Sequence, residues 1–320
     1  MVKLKRFEGN PIISPRSWVN WEVNGTFNPA AVYEDGKVHL IYRAMSQENT
    51  SQMGYASSLD GFNIIERINE PIYVPREEFE RKLNPEGNSG CEDPRISKID
   101  DRFYMCYTAY DGINPTRVAL TSISVDDLIN KRWNWERPIL ISPPNTHDKD
   151  AGIFPEKIDG KYVIFHRLQN SIWMDFVDNL GFQENNWLKG EVLLHPREGK
   201  WDNGRVGISS PPLKTDAGWI LMYHGITEPE HRYKASAMLL DLKNPRKIIS
   251  VLENPIIEPE EDYEKMGPVP SVVFPCGAVI IGEYLFVYYG GADKVIAVAT
   301  IKVEELLDEL LSEKPHNVNY

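Results

Sequence analysis

The sequence predicts an all-β protein: a five-bladed β-propeller whose last blade is closed by an N-terminal strand and followed by a short C-terminal helix. The prediction rests on three strand-like elements, each of which recurs five times at intervals of about 60 residues.

The first element is a short apolar segment ending in proline. Its copies are Asn10–Pro15, Glu70–Pro75, Arg137–Pro143, Glu191–Pro196 and Asn254–Pro259. Proline at both ends suits an outer edge strand, where a missing N–H donor does little harm. The second element is the returning strand of a hairpin, found at 37–43, 102–108, 161–167, 218–224 and 283–289. Asp35-Gly36, Asp100-Asp101, Asp159-Gly160 and Asp216-Ala217-Gly218 precede four of these strands, and this is turn chemistry. The third element follows each hairpin, at 53–57, 118–122, 172–176, 235–239 and 295–299. The chain opens on an outer-strand copy and reaches no outer strand after 295–299, so Ile12-Ile13 is expected to complete the fifth blade. An ordinary β-sandwich would not repeat three elements at one period. Leu306, Leu307, Leu310 and Leu311 share one helical face, read as a helix packed on the side of the propeller, with an oligomer contact as the alternative. The whole chain, 1–320, is read as a single catalytic domain.

Composition narrows the function. Thirty-five Lys and Arg against 47 Asp and Glu give a net charge of −12, which argues against a nucleic-acid surface, so any bound anion needs a local basic pocket. No apolar run is long enough to span a membrane, and no signal peptide follows the basic start at Met1. Cys91, Cys106 and Cys276 are odd in number and widely spaced, which fits free thiols in a reducing, cytoplasmic compartment. The sequons at Asn24 and Asn49 are then read as chance. The histidines show no paired metal spacing and no nucleotide-binding motif occurs, so neither a metal nor another cofactor is expected.

In a hairpin, the start of one strand faces the end of the next. Asn28 and Arg43 are equidistant from the Asp35-Gly36 turn, and Asp93 and Thr108 from Asp100-Asp101. Rotational repetition sends this end of every hairpin to the same side. Asn28, Arg43, Asp93, Arg117, Arg167, His224, Tyr233, Tyr289 and Asp293 are therefore expected at one mouth of the central channel, where ligands bind. Pro155 is shifted by two residues relative to the other first strands. Lys149, Asp150 and Lys157 are correspondingly harder to place, with Lys149-Asp150 expected near the same rim. Taken alone, Asp93 before Pro94 equally suits a turn, Arg117 a surface strand and His224 a packed neutral histidine.

Gly90-Cys91-Glu92-Asp93-Pro94-Arg95 is accompanied, in order, by Thr26–Ala30, Lys149–Lys157 and Gly290–Asp293. Together these segments resemble glycoside hydrolase family 130, whose β-mannoside phosphorylases and β-mannosidases are five-bladed propellers. The resemblance implies phosphorolysis of manno-oligosaccharides to α-mannose 1-phosphate, with inorganic phosphate as co-substrate. It implies that Asp93 is the acid and donates its proton through a mannose hydroxyl. Asn28, Arg43 and Asp293 would hold the mannosyl unit, and Arg117, Lys157, His224 and Tyr233 the phosphate, with Lys149 and Arg167 beside them. An inverting hydrolase needs a second carboxyl to activate water, whereas a phosphorylase replaces that base with cations around an already anionic nucleophile. Glu92, Asp150 and Glu156 are the acids available to a hydrolase. A non-catalytic sugar-binding propeller would instead need aromatic platforms and no acid at position 93. Asp93 is expected to have a raised pKa once substrate excludes water.

Overall fold

The computed structural model describes residues 2–182 and 186–313; both ends of the expected domain, Met1 and 314–320, lie outside them. After β1 (Lys5–Arg6), the chain forms five antiparallel units. Unit one is β2 (Gly25–Glu34), β3 (Lys37–Met45), β4 (Thr50–Ser58) and β5 (Ile64–Arg67). Unit two is β6 (Ser89–Ile99), β7 (Arg102–Tyr110), β8 (Arg117–Ser124) and, after α1 (Val125–Ile129), β9 (Ile139–Leu140). Unit three is β10 (Asp148–Ile153), β11 (Tyr162–Leu168), β12 (Ser171–Val177) and β13 (Glu191–Leu194). In unit four, β14 (Arg205–Ile208) and β15 (Leu213–Lys214) both pair with β16 (Trp219–Thr227), which is followed by β17 (Arg232–Leu240) and β18 (Ile248–Val251). After α2 (Asp262–Lys265), unit five is β19 (Val273–Ile281), β20 (Tyr284–Gly291) and β21 (Val295–Lys302), with α3 (Val303–Ser312) last.

The N-terminal segment completes unit five, as expected. Lys5 and Arg6 pair with Thr300 and Ala299, and Ile13 bridges Ile296. The proline-flanked segments are shorter strands than their pattern suggests. Ile13, Tyr73 and Ile257 each make only an isolated bridge, because the flanking prolines withhold donors from a longer ladder. In units one, four and five a separate piece before the proline segment supplies the paired outer edge: β5, β18 and β1. Units one and two merge into an eight-stranded sheet through a short parallel pairing of Thr50-Ser51 with Ser89-Gly90, and the remaining units form three further sheets.

Both faces of every unit are buried, since side chains alternate between two cores. On β3, Val38, Leu40 and Tyr42 face unit five, while Ile41 faces unit two. Five of the six apolar clusters among the described residues lie between units one and two, two and three, three and four, four and five, and five and one. The contact order is therefore cyclic. Leu306 and Leu310 of α3 are buried in the cluster between units four and five, whereas Leu311 is exposed. No helix among the described residues is long and apolar enough to cross a membrane.

A second feature also recurs five times. In each unit a buried acid at or before the start of the first strand bonds an aromatic residue near the end of the second long strand. Tyr42 donates to Glu22 (3.3 Å), Tyr107 to Glu80, Tyr223 to Asp202 (3.1 Å) and Tyr289 to Glu264 (2.8 Å). In unit three His166 takes this place, 2.8 Å from Asp148 and 2.9 Å from Asp175. Arg16 and Arg67 also reach Glu22, Arg197 reaches Asp202 and Arg6 reaches Glu264, so these acids are buried as partnered charges.

Tyr223→Phe leaves the buried Asp202 short of a donor and should destabilise the fold by about 1–3 kcal/mol in urea unfolding. An unchanged midpoint would show that the tie contributes nothing. Burial lowers the His166 pKa, but the Asp148 and Asp175 contacts outweigh it and raise the value to about 9. A raised folded-state pKa stabilises below the unfolded value, near 6.5, and that stability is lost as pH rises through 9. Unfolding midpoints should therefore fall between pH 7 and 10, and His166→Asn should flatten that slope.

Candidate active site

The first strands of units one to three share a β-bulge. The register steps from Phe27–Arg43 to Ala30–Ile41, from Glu92–Thr108 to Arg95–Cys106 and from Lys149–Arg167 to Gly152–Phe165. Asn28, Asp93 and Asp150 begin the bulges with φ of 49°, 51° and 50°. This left-handed region is one that Asn and Asp tolerate better than other non-glycine residues. Counting from the turn expects Asn28 opposite Arg43, but the bulge puts Phe27 there and re-aims Asn28. It also identifies Asp150 as the unit-three counterpart of Asn28 and Asp93. Pro155 is not the counterpart of Pro29 and Pro94; Ala151 occupies that place. In unit four Gly207 is unbulged, and a Cβ there would lie 2.6 Å from Asp150 Oδ2 and 2.7 Å from His224 Cε1.

These strands enclose a cavity of about 210 Å³. Asn28, Arg43, Asp93, Lys149, Arg167, Tyr233 and Asp293 all line it, together with Asp150 and Arg205. Asp93 Oδ1 accepts from Asn28 Nδ2 (2.8 Å) and from Arg43 Nη1 (3.1 Å). Glu92 accepts from Arg43 Nη2 (2.9 Å) and from Lys149 (3.3 Å). Beneath them the fully buried Arg95 donates to Asp150 Oδ1 (3.1 Å) and to the carbonyls of Asp93, Ile208 and Ser209. Asp150 Oδ2 also faces Arg167 at 2.6 Å. The guanidinium of Arg205 has no side-chain partner among the described residues, so its donors are free for a ligand.

Burial alone would raise all three carboxyls. At Asp93 the charges of Arg43 and Lys149, the Asn28 hydrogen bond and Arg95 outweigh it, holding the pKa below the usual carboxylate range. Arg167 and Arg95 hold Asp150 lower still. At Asp293 burial, aided by the neighbouring Asp93 and Glu92 charges, outweighs Arg43 and Lys149 and pushes the pKa up to about 6. Of these carboxyls the raised one is thus Asp293 rather than Asp93.

Three residues expected at the mouth, and Lys157 from the phosphate set implied by the resemblance, lie elsewhere. Arg117 lines a separate cavity of about 200 Å³ with Phe79, Asp111 and Asn114, donates to the Ser142 carbonyl and stacks on Trp187. It begins the third strand of unit two, as Tyr233 stands at the start of that of unit four, yet only Tyr233 lines the first cavity. Lys157 is exposed near the hairpin turn, over the Tyr162 ring, at the end opposite Lys149–Arg167. Tyr289 points into the core between units four and five. His224 is fully buried behind the cavity, packed on Phe274 and 3.4 Å from Asp150, and burial lowers its pKa. Arg205 was missed in the sequence, although it lies two residues before the unit-four counterpart of Phe27 and Glu92 and so had a positional signal.

The chain matches the model of glycoside hydrolase family 130, described as beta-1,4-mannooligosaccharide phosphorylase, over residues 3–312. It is 40% identical to a 1,2-beta-oligomannan phosphorylase of Thermoanaerobacter sp. (strain X514), over 96% of this chain and 99% of that protein. A beta-1,2-mannobiose phosphorylase of the same organism is also 40% identical, with the same two coverages. Among solved structures, the beta-1,2-mannobiose phosphorylase from Listeria innocua in complex with beta-1,2-mannobiose superimposes with a TM-score of 0.79 at 29% identity, covering 97% of this chain and 99% of that one. With the family match spanning nearly every described residue, the chain belongs to glycoside hydrolase family 130.

Proposed function

We propose that the protein is an inverting β-mannoside phosphorylase, built as a single five-bladed propeller, that converts manno-oligosaccharides and phosphate into α-mannose 1-phosphate. The cyclic order of the five inter-unit cores supports the architecture. The buried free thiols Cys91, Cys106 and Cys276 support a cytoplasmic setting. The 40% identical relatives, both named for β-1,2 linkages, favour that linkage here.

The observation that carries the activity is one cavity in which Asp93 faces Lys149, Arg167, Arg205 and Tyr233. The acids weighed as a hydrolytic base are all engaged. Glu92 is bonded by Arg43 and Lys149, Asp150 by Arg95 and Arg167, and Glu156 lies at the surface with Lys214. Phosphate needs no base and benefits from forked guanidinium donors. Asn28, Arg43 and Asp293 hold the mannosyl ring, and Asp93 sends its proton to the leaving oxygen through a ring hydroxyl. Of the cations that keep Asp93 ionised, Lys149 lines the cavity together with Arg167 and Arg205, where phosphate would neutralise it. Phosphate binding therefore raises the Asp93 pKa and arms the acid only when the nucleophile is present. His224 lies behind the cavity, 3.4 Å from Asp150.

Incubation with β-mannobioses should release mannose 1-phosphate only when phosphate is added; phosphate-independent release of mannose would identify a hydrolase. Asp93→Asn should lower kcat by about 10²–10⁴-fold with the fold intact, and near-normal turnover would remove Asp93 from the acid role. Arg205→Ala should raise the KM for phosphate by about tenfold to a hundredfold, as expected for a lost charged hydrogen bond, whereas Arg117→Ala should leave it within about threefold.

A further inference from the structure

Arg43 and Lys149 line the catalytic cavity from the two units that flank unit two, and a single carboxylate of unit two meets both. Glu92 Oε1 accepts from Arg43 Nη2 (2.9 Å) and Glu92 Oε2 from Lys149 Nζ (3.3 Å). Glu92 itself does not line the cavity; it is 4% exposed and reaches a ligand only through those two cations. Consecutive side chains of a regular strand point to opposite faces, so Glu92 and Asp93 would not ordinarily meet one guanidinium. The bulge that begins at Asp93, with φ of 51°, lets both do so, and Arg43 Nη1 reaches Asp93 Oδ1 at 3.1 Å.

The two cations are held differently. Arg43 is fixed along three edges and one face. Its Nε donates to Ser51 Oγ (2.9 Å), its Nη1 and Nη2 are divided between Asp93 and Glu92, and the Phe27 ring lies 4.9 Å from its centre. Such a guanidinium shifts only by trading one carboxylate against the other. Lys149 is a point charge on a flexible stem, its side chain 29% exposed, with Glu92 as its salt-bridge partner. An anion entering beside Arg167 and Arg205 therefore competes with Glu92 for Lys149. Once Lys149 turns to that anion, Glu92 is a buried carboxylate with Arg43 as its remaining ion pair.

We propose, resting on the phosphorylase reading, that Glu92 is a positioning residue that couples nucleophile binding to the acid. It competes with phosphate for Lys149, and when phosphate wins it draws Arg43 off Asp93, loosening the ion pair that holds the acid ionised. The path runs from Lys149 through Glu92 and Arg43 to Asp93, each step a contact of 3.3 Å or less.

The test uses the full chain and inorganic phosphate. Glu92→Gln keeps the side chain's shape and an acceptor for Arg43 but removes the charge. Phosphate binding, read by isothermal titration calorimetry, should tighten about threefold to fivefold, the size of a partly exposed ion pair, because Lys149 has lost its competing partner. In phosphorolysis of β-mannobiose, kcat should instead fall about tenfold, part of what a general acid contributes, because Arg43 stays on Asp93. A merely structural role would not move affinity and turnover in opposite directions. In a Lys149→Ala background the same substitution should leave phosphate affinity unchanged, since the contested cation is gone. Glu92→Asp keeps the charge on an arm too short to span both cations, so it should show the same split and decides the matter if Glu92→Gln is unstable. Unchanged or weaker phosphate binding in the folded variants, tightening without loss of kcat, or equal tightening in the Lys149→Ala background would overturn the inference and leave phosphorolysis in place. Absence of sugar 1-phosphate from the unsubstituted protein's reaction would instead overturn the phosphorylase reading, and this inference with it.

Discussion

The structure depends on a partnered charge buried at the same place in each unit. Glu22, Glu80, Asp148, Asp202 and Glu264 are withdrawn from water, and each is met by a tyrosine or histidine from the second long strand of its own unit. A buried carboxylate without donors would be strongly destabilising. The loop that carries each acid is therefore held against its sheet. In units one to three the aromatic residue stands opposite the bulge, so the tie also braces the strand where Asn28, Asp93 and Asp150 turn inward.

From that brace the electrostatics of the cavity follow. Three polar residues with left-handed backbone project from neighbouring units toward a common space, and Arg95 underlies two of them. Its guanidinium joins unit two to the unit-four carbonyls and to Asp150, so three units share one buried cation. Asp93 and Asp150 are kept ionised by this arrangement, while Asp293, with fewer donors, rises toward neutrality. Two carboxyls on one cavity thus differ in proton affinity because of their neighbours. An anion entering beside Lys149 would reverse part of that difference, because it would offset one of the charges that hold Asp93 low.

Much of this was legible in the residue order. The period of about 60, the Asp-Gly turns and the N-terminal closure all follow from local rules, namely alternation, turn chemistry and proline's missing donor. Asn28, Arg43, Asp93, Lys149, Arg167, Tyr233 and Asp293 were located because strand ends in a repeated unit share one side. The misplacements have two origins. Lys157 took its phosphate role from the family resemblance while the shifted Pro155 left its place in unit three open, and Arg117 and Tyr289 were assigned from strand position without knowing how far each strand stands from the centre or which face its side chain takes.

The amino-acid sequence by itself determined the all-β class, the five units, the family and most of the polar residues around Asp93, because each is encoded by local periodicity or contiguous motifs. Tertiary structure alone decided the bulge register, the recruitment of Arg205, the withdrawal of Arg117, Lys157 and Tyr289, and which carboxyl sits high. Those outcomes depend on distances between residues more than a hundred positions apart, as between Arg95 and Ser209, and on the solvent that packing removes. No local pattern carries either quantity.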